Sequence, residues 1–111
     1  MNSKILNFRS KGCCMEQLTE ICRGVLAIME GMMEGEISFT YDNLASAMKY
    51  GHPAEILDDI LQPVCFSLED GILPDSKSVE KLLNDLKRFK RSFKVKELSD
   101  SIKGLESYLK K

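Results

Sequence analysis

From Met15 to about Met33 the apolar residues recur every three or four positions: Leu18, Ile21, Cys22, Val25, Ile28, Met29, Met32 and Met33. That spacing predicts one face of a long amphipathic helix. Gly24 and Gly31 weaken it, each by about 1 kcal/mol relative to Ala, and Gly31 could mark where the last turn loosens. Gly35 ends the pattern. Glu36-Ile37-Ser38-Phe39 then alternates polar with apolar, which predicts a short extended segment. Thr40 suits the N-cap of a second helix carrying Tyr41, Leu44, Ala45 and Met48.

Tyr50-Gly51-His52-Pro53 reads as a turn with His52 exposed on it. Pro53 fits the first position of a helix through Ile56, Leu57, Ile60 and Leu61. Pro63 should kink that helix or begin a new one, through Val64, Phe66 and Leu68 to Gly71. After a loop to Pro74, Asp75 or Ser76 can cap a helix whose stripe is Val79, Leu82, Leu83, Leu86, Phe89 and Phe93. A final helix carries Leu98, Ile102, Leu105 and Leu109, and the short link at 94–96 points to an antiparallel hairpin or one long broken helix. The expected fold is all-α, or mainly α with one short extended segment near 36–39. It is a compact bundle of about five helices with a helix-turn-helix-like middle and a C-terminal helical hairpin. Residues 1–14 read as a loosely ordered leader and 15–111 as a single helical domain.

The stretches Phe39-Thr40-Tyr41-Asp42-Asn43-Leu44-Ala45, Gly51-His52-Pro53, Ile60-Leu61-Gln62-Pro63-Val64-Cys65 and Asp70-Gly71-Ile72-Leu73-Pro74 share a cadence. Over residues 39–74 the chain resembles winged helix-turn-helix modules, which implies that shape and, for members that read DNA, a groove-facing second helix. Two departures stand beside the resemblance. Ser76 onward reads as helix where the modules form the strands of a wing. The groove-facing helix would carry Glu55, Asp58 and Asp59, which a phosphate-lined groove repels.

At 111 residues and 43% hydrophobic the chain can form one packed core with little apolar surface to spare for a deep pocket. Its net charge of -1 conceals a segregation. Residues 36–75 carry eight acidic groups against Lys49, whereas residues 76–111 carry eleven basic groups against five acidic ones. Charge asymmetry of this kind guides the choice of partner more than the net value does. Two candidate surfaces follow. An acidic helical face with Asp42, Glu55, Asp58 and Asp59 would contact a protein partner or a second copy of the chain. A basic segment with Lys87, Arg88, Lys90, Arg91, Lys94 and Lys96, interleaved with Phe89 and Phe93, could instead meet nucleic acid through charge and stacking. The competing reading turns both phenylalanines into the core and leaves a solvated basic face.

Catalytic chemistry has few candidates. His52 and Cys65 are the one conceivable nucleophile pairing, and Cys65 between Val64 and Phe66 reads more simply as a small buried hydrophobe. Cys13, Cys14, Cys22 and Cys65 lack the paired C-x-x-C spacing of a zinc site. With no phosphate loop or nucleophile elbow either, the expectation is a non-enzymatic protein with no catalytic, cofactor or metal site. The absence of a secretory pattern or an 18-residue apolar run predicts reduced thiols, a cytoplasmic location and no membrane partner. The leading expectation is a small regulatory or adaptor protein, with a nucleic-acid-binding regulator as the alternative.

Overall fold

A computed structural model describes residues 3–40 and 51–110, with side chains from Cys14 onward. Among the described residues there are four α-helices and no strand: α1 (Ser3–Glu34), α2 (Pro53–Glu69), α3 (Ser76–Phe93) and α4 (Ser99–Leu109). A 3-10 turn at Lys96–Leu98 precedes α4. About five helices were expected. The second of them, with Thr40 as its cap, falls at 41–50 and lies outside the described residues.

The helices pack in a cycle, α1 on α2, α2 on α3, α3 on α4 and α4 on α1, while α2 and α4 share no contact among the described residues. The core they enclose takes the predicted stripes. Leu18, Cys22, Val25, Ile28 and Met32 come from α1, Leu57, Leu61 and Val64 from α2, and all six stripe positions of α3 are buried. Leu98, Ile102 and Leu105 close the fourth side. Met33 departs from the expectation, being 67% exposed in the last turn of α1 beside the solvent-facing Glu34. No described helix is long and apolar enough to cross a membrane.

Local chemistry sets the ends of these helices. Gly35 (φ 82°) takes the left-handed conformation that closes α1: its N–H and that of Glu36 donate to the carbonyls of Met32 and Gly31. Gly71 (φ 73°) closes α2 in the same way, with its own N–H on Leu68 and that of Ile72 on Ser67. Each is a Schellman arrangement, which satisfies carbonyls left over at a helix end. Asp75 caps α3 through a 2.8 Å bond from the Ser78 N–H to Oδ1. Lys94 reverses the chain with φ 56°, and the Lys87–Glu106 ion pair places α3 and α4 antiparallel, each partner about ten residues from the link. The chain therefore makes the hairpin, not one broken helix.

The segment after α1 has no strand partner among the described residues. Its residues fold back instead: Ile37 donates its N–H to the Gly31 carbonyl, and a Cβ on Gly31 would lie 2.6 Å from Ile37 Cδ1. Gly31 is thus a packing position rather than a loosening one. Three residues on, the Thr40 N–H donates to the Phe93 carbonyl at 2.8 Å, which satisfies one of the carbonyls left over at the end of α3.

Candidate interaction faces

Pro63 neither ends nor restarts a helix. α2 is continuous from Pro53 to Glu69 with Pro63 exposed inside it. Proline in a helix interior costs about 3 kcal/mol, but Leu57, Leu61, Val64 and Leu68 follow one another on the inner face. Each such side chain contributes about 1.5–3 kcal/mol on burial, which outweighs the proline. Continuity of α2 fixes what faces outward. Glu55, Asp59, Gln62 and Phe66 are spaced four, three and four residues apart, so they share one stripe opposite the buried one. Phe66, the last member of that stripe, is 57% exposed.

Asp58 sits to the side of this stripe. It accepts from Gln62 Nε2 at 3.0 Å and its charge reaches Cys65. The acidic residues named from the sequence therefore divide: Glu55 and Asp59 share the outer stripe with Phe66, Asp58 faces the seam with α1, and Asp42 lies outside the described residues. Phe66 was missed because the sequence left open whether Pro63 kinks the helix or begins a new one. A helix carried through it leaves Phe66 off the Leu57-Leu61-Val64-Leu68 line, and that displacement is a signal present in the sequence.

The basic segment also divides. Lys87, Lys90, Arg91 and Lys94, spaced three, one and three residues apart, line one open cleft of about 490 Å³ between α3 and α4, with Ile102 contributing its apolar wall. The Lys87–Glu106 pair (3.2 Å) lies at this cleft with both side chains more than two-fifths exposed, so it adds little to stability. Arg88 points elsewhere, into the groove between α2 and α3 with Ile56, Ile60 and Asp85. Lys96 is exposed on the 3-10 turn and is not part of the cleft. Phe89 and Phe93 are both buried, with ring centroids 4.7 Å apart. They are core residues and offer no ring face for base stacking. Lys90 and Arg91 also sit in the last turn of α3, where cations offset the negative end of the helix dipole.

The nucleophile pairing does not assemble. His52 is half-buried, not exposed: it caps α2 by accepting the Ala54 N–H on Nδ1 at 3.0 Å, and its ring meets Phe39 edge-on at 5.2 Å. Cys65 lies thirteen residues along the chain in the same helix, roughly 20 Å away at 1.5 Å per residue. The neighbour of Cys65 is Cys22 of α1, which shares with it an open pocket of about 170 Å³ that also takes in Thr19, Leu26 and Leu68. Burial, then the nearby Cys65 sulfur, pushes the Cys22 thiol up to about 12. Burial raises that of Cys65 as well, with Glu69 and Asp58 acting in the same direction against the lowering bond from Cys22. Thiols held protonated in this way are poor nucleophiles and poor metal ligands at neutral pH. Among the described residues, no group of three or more His, Cys, Asp or Glu side chains could hold a metal ion. No protein family, no curated protein and no solved structure matches this chain.

Proposed function

We propose that this chain is a non-enzymatic regulatory or adaptor protein that acts by protein–protein contact through the acidic outer face of α2. One observation carries the proposal: Phe66, more than half exposed, stands in line with Glu55 and Asp59 on the side of α2 away from the core. Covering an exposed phenylalanine contributes about 1.5–3 kcal/mol to a contact, and aromatic anchors of this type concentrate binding energy. The flanking carboxylates steer a basic partner toward it and discourage acidic ones.

Affinity capture with the full chain as bait, followed by mass spectrometry, tests this. A partner should be retained by the wild type and lost by both Phe66→Ala and the double variant Glu55→Lys/Asp59→Lys. A partner set indifferent to both changes would remove the proposal. Phe66→Ala should alter unfolding free energy by no more than about 0.5 kcal/mol, as for other surface sites. Leu61→Ala, at a position 1% exposed, should cost about 2–5 kcal/mol.

A second reading, a nucleic-acid-binding regulator, is supported by the four cations gathered in the α3–α4 cleft. With Phe89 and Phe93 in the core, it would rest on phosphate charge alone. Polarisation titrations with duplex and single-stranded DNA should then show affinity that falls steeply with salt and disappears in Lys90→Glu/Arg91→Glu. An absence of binding at low salt removes it.

A further inference from the structure

The two charged faces are opposite in sign, and an exposed aromatic stands on one where the other is hollowed. The α2 face is a ridge: Phe66 projects from it, with Glu55 and Asp59 toward its N-terminal side and Glu69 and Asp70 toward its C-terminal side, all four exposed. The α3–α4 face is a recess, with Lys90, Arg91 and Lys94 at its mouth and Ile102 as apolar wall. Lys87 is already engaged by Glu106. An occupant that suits this recess presents several carboxylates around one apolar knob. The chain carries such an object itself.

Within one molecule the two faces cannot meet. α2 and α4 lie diagonally across the bundle without contact, and the outer stripe of α2 points away from the core that separates them. Complementary surfaces that cannot pair in one copy are left to pair between copies.

We infer that copies of this chain associate head to tail, the Phe66-bearing face of α2 in one copy seated in the Lys90–Arg91–Lys94 cleft of the next. The inference rests on the acidic α2 face being a protein-binding surface, and it names the partner. The contact is heterologous, since each copy contributes a different face, so it propagates into chains or closes into a ring rather than stopping at a two-fold dimer. Built on one aromatic anchor and exposed charges, it is a small, weak interface, sensitive to ionic strength.

Sedimentation velocity on the full chain, over a range reaching hundreds of micromolar, reads this directly. At about 50 mM salt the wild type should form species larger than a dimer, and raising the salt to about 500 mM should weaken association on the order of tenfold or more. Two variants separate the faces: Glu55→Ala/Asp59→Ala/Phe66→Ala breaks the ridge, and Lys90→Glu/Arg91→Glu breaks the recess. Each alone should be monomeric, with an unchanged far-ultraviolet circular dichroism spectrum. Mixed in equal amounts they retain one intact ridge and one intact recess, and should form a 1:1 dimer that grows no further. A two-fold contact would instead stop the wild type at a dimer.

A wild type that stays monomeric at low salt overturns the inference, as does a mixture that stays monomeric or a variant that still oligomerises. Duplex DNA that binds a monomeric chain and is lost in the recess variant also overturns it, and assigns the cleft to nucleic acid. The parent reading fails separately. If captured partners depend on the ridge but not on the recess, and the chain is monomeric, the acidic face keeps its role and only the identity of its occupant is wrong.

Discussion

Cys22 of α1 and Cys65 of α2 line one pocket at the seam of two packed helices, which brings together residues 43 positions apart. Burial at that seam raises both thiols and disfavours the thiolate form at neutral pH. It also gives the protein an alkaline limit. Unfolding releases Cys22 from about 12 to its ordinary value of 9.0. Between those values the unfolded chain has lost the thiol proton and the folded chain still holds it. The stabilisation is therefore complete below about pH 9 and is lost as pH rises toward about 12, by up to about 1.4 kcal/mol per pH unit. Denaturant unfolding at a series of alkaline pH values should show this decline in the wild type and a shallower one in Cys22→Ala. The remainder in the variant includes Tyr108, whose hydroxyl is also raised, chiefly by burial.

Two glycines in α1 should respond oppositely to alanine. A Cβ on Gly24 would meet Ser101 Oγ at 3.5 Å, an ordinary contact, so Gly24→Ala should stabilise by roughly 0.5–1 kcal/mol through helix propensity. A Cβ on Gly31 would sit 2.6 Å from Ile37 Cδ1 and 2.8 Å from Cγ1, so the segment folded back over the helix must shift. Gly31→Ala should therefore destabilise by about 1–3 kcal/mol. Paired chemical denaturation curves decide the signs.

Pro63 is exposed, and its ring nitrogen has no hydrogen to give the Asp59 carbonyl one turn earlier. Pro63→Ala supplies the missing donor without touching the buried stripe. It should raise stability by about 1–3 kcal/mol and leave the Phe66 side of α2 outward. An increase in thermal midpoint with unchanged self-association is the expected outcome.

Asp75 caps α3 and is held below the ordinary carboxylate value. The largest cause is the Ser78 backbone N–H, followed by the Ser78 hydroxyl, with Lys77 adding a smaller pull. A depressed acid stabilises above its unfolded value and loses that contribution as pH falls through the folded one. Asp75→Ala should lower the thermal midpoint at neutral pH, and the gap from wild type should narrow on acidification below the usual carboxylate range.

The course of α3 was readable in full. Eighteen residues carry a six-member apolar stripe behind an aspartate cap, and every stripe residue is buried. The Gly35 and Gly71 stops were equally legible, because the left-handed conformation at a helix end selects glycine locally. Of the two outcomes expected at Pro63, a new helix does not form, for a physical reason: the local preference against proline is real, and a larger tertiary term keeps α2 continuous. His52 was read as an exposed turn residue because the ring that covers it belongs to Phe39, on the far side of segment 41–50.

Sequence alone determined which residues would be apolar stripes, where Gly35 and Gly71 would end helices, and that charge would divide between the middle and the end of the chain. These are one-dimensional properties, set by helical period and local backbone preference. Tertiary structure alone decided that Phe66 points outward among carboxylates, that Lys87, Lys90, Arg91 and Lys94 share one cleft while Arg88 and Lys96 do not, and that Cys65 meets Cys22 rather than His52. Those outcomes depend on which helix lies against which. That arrangement is settled by how the stripes bury one another together, and no single stripe carries it.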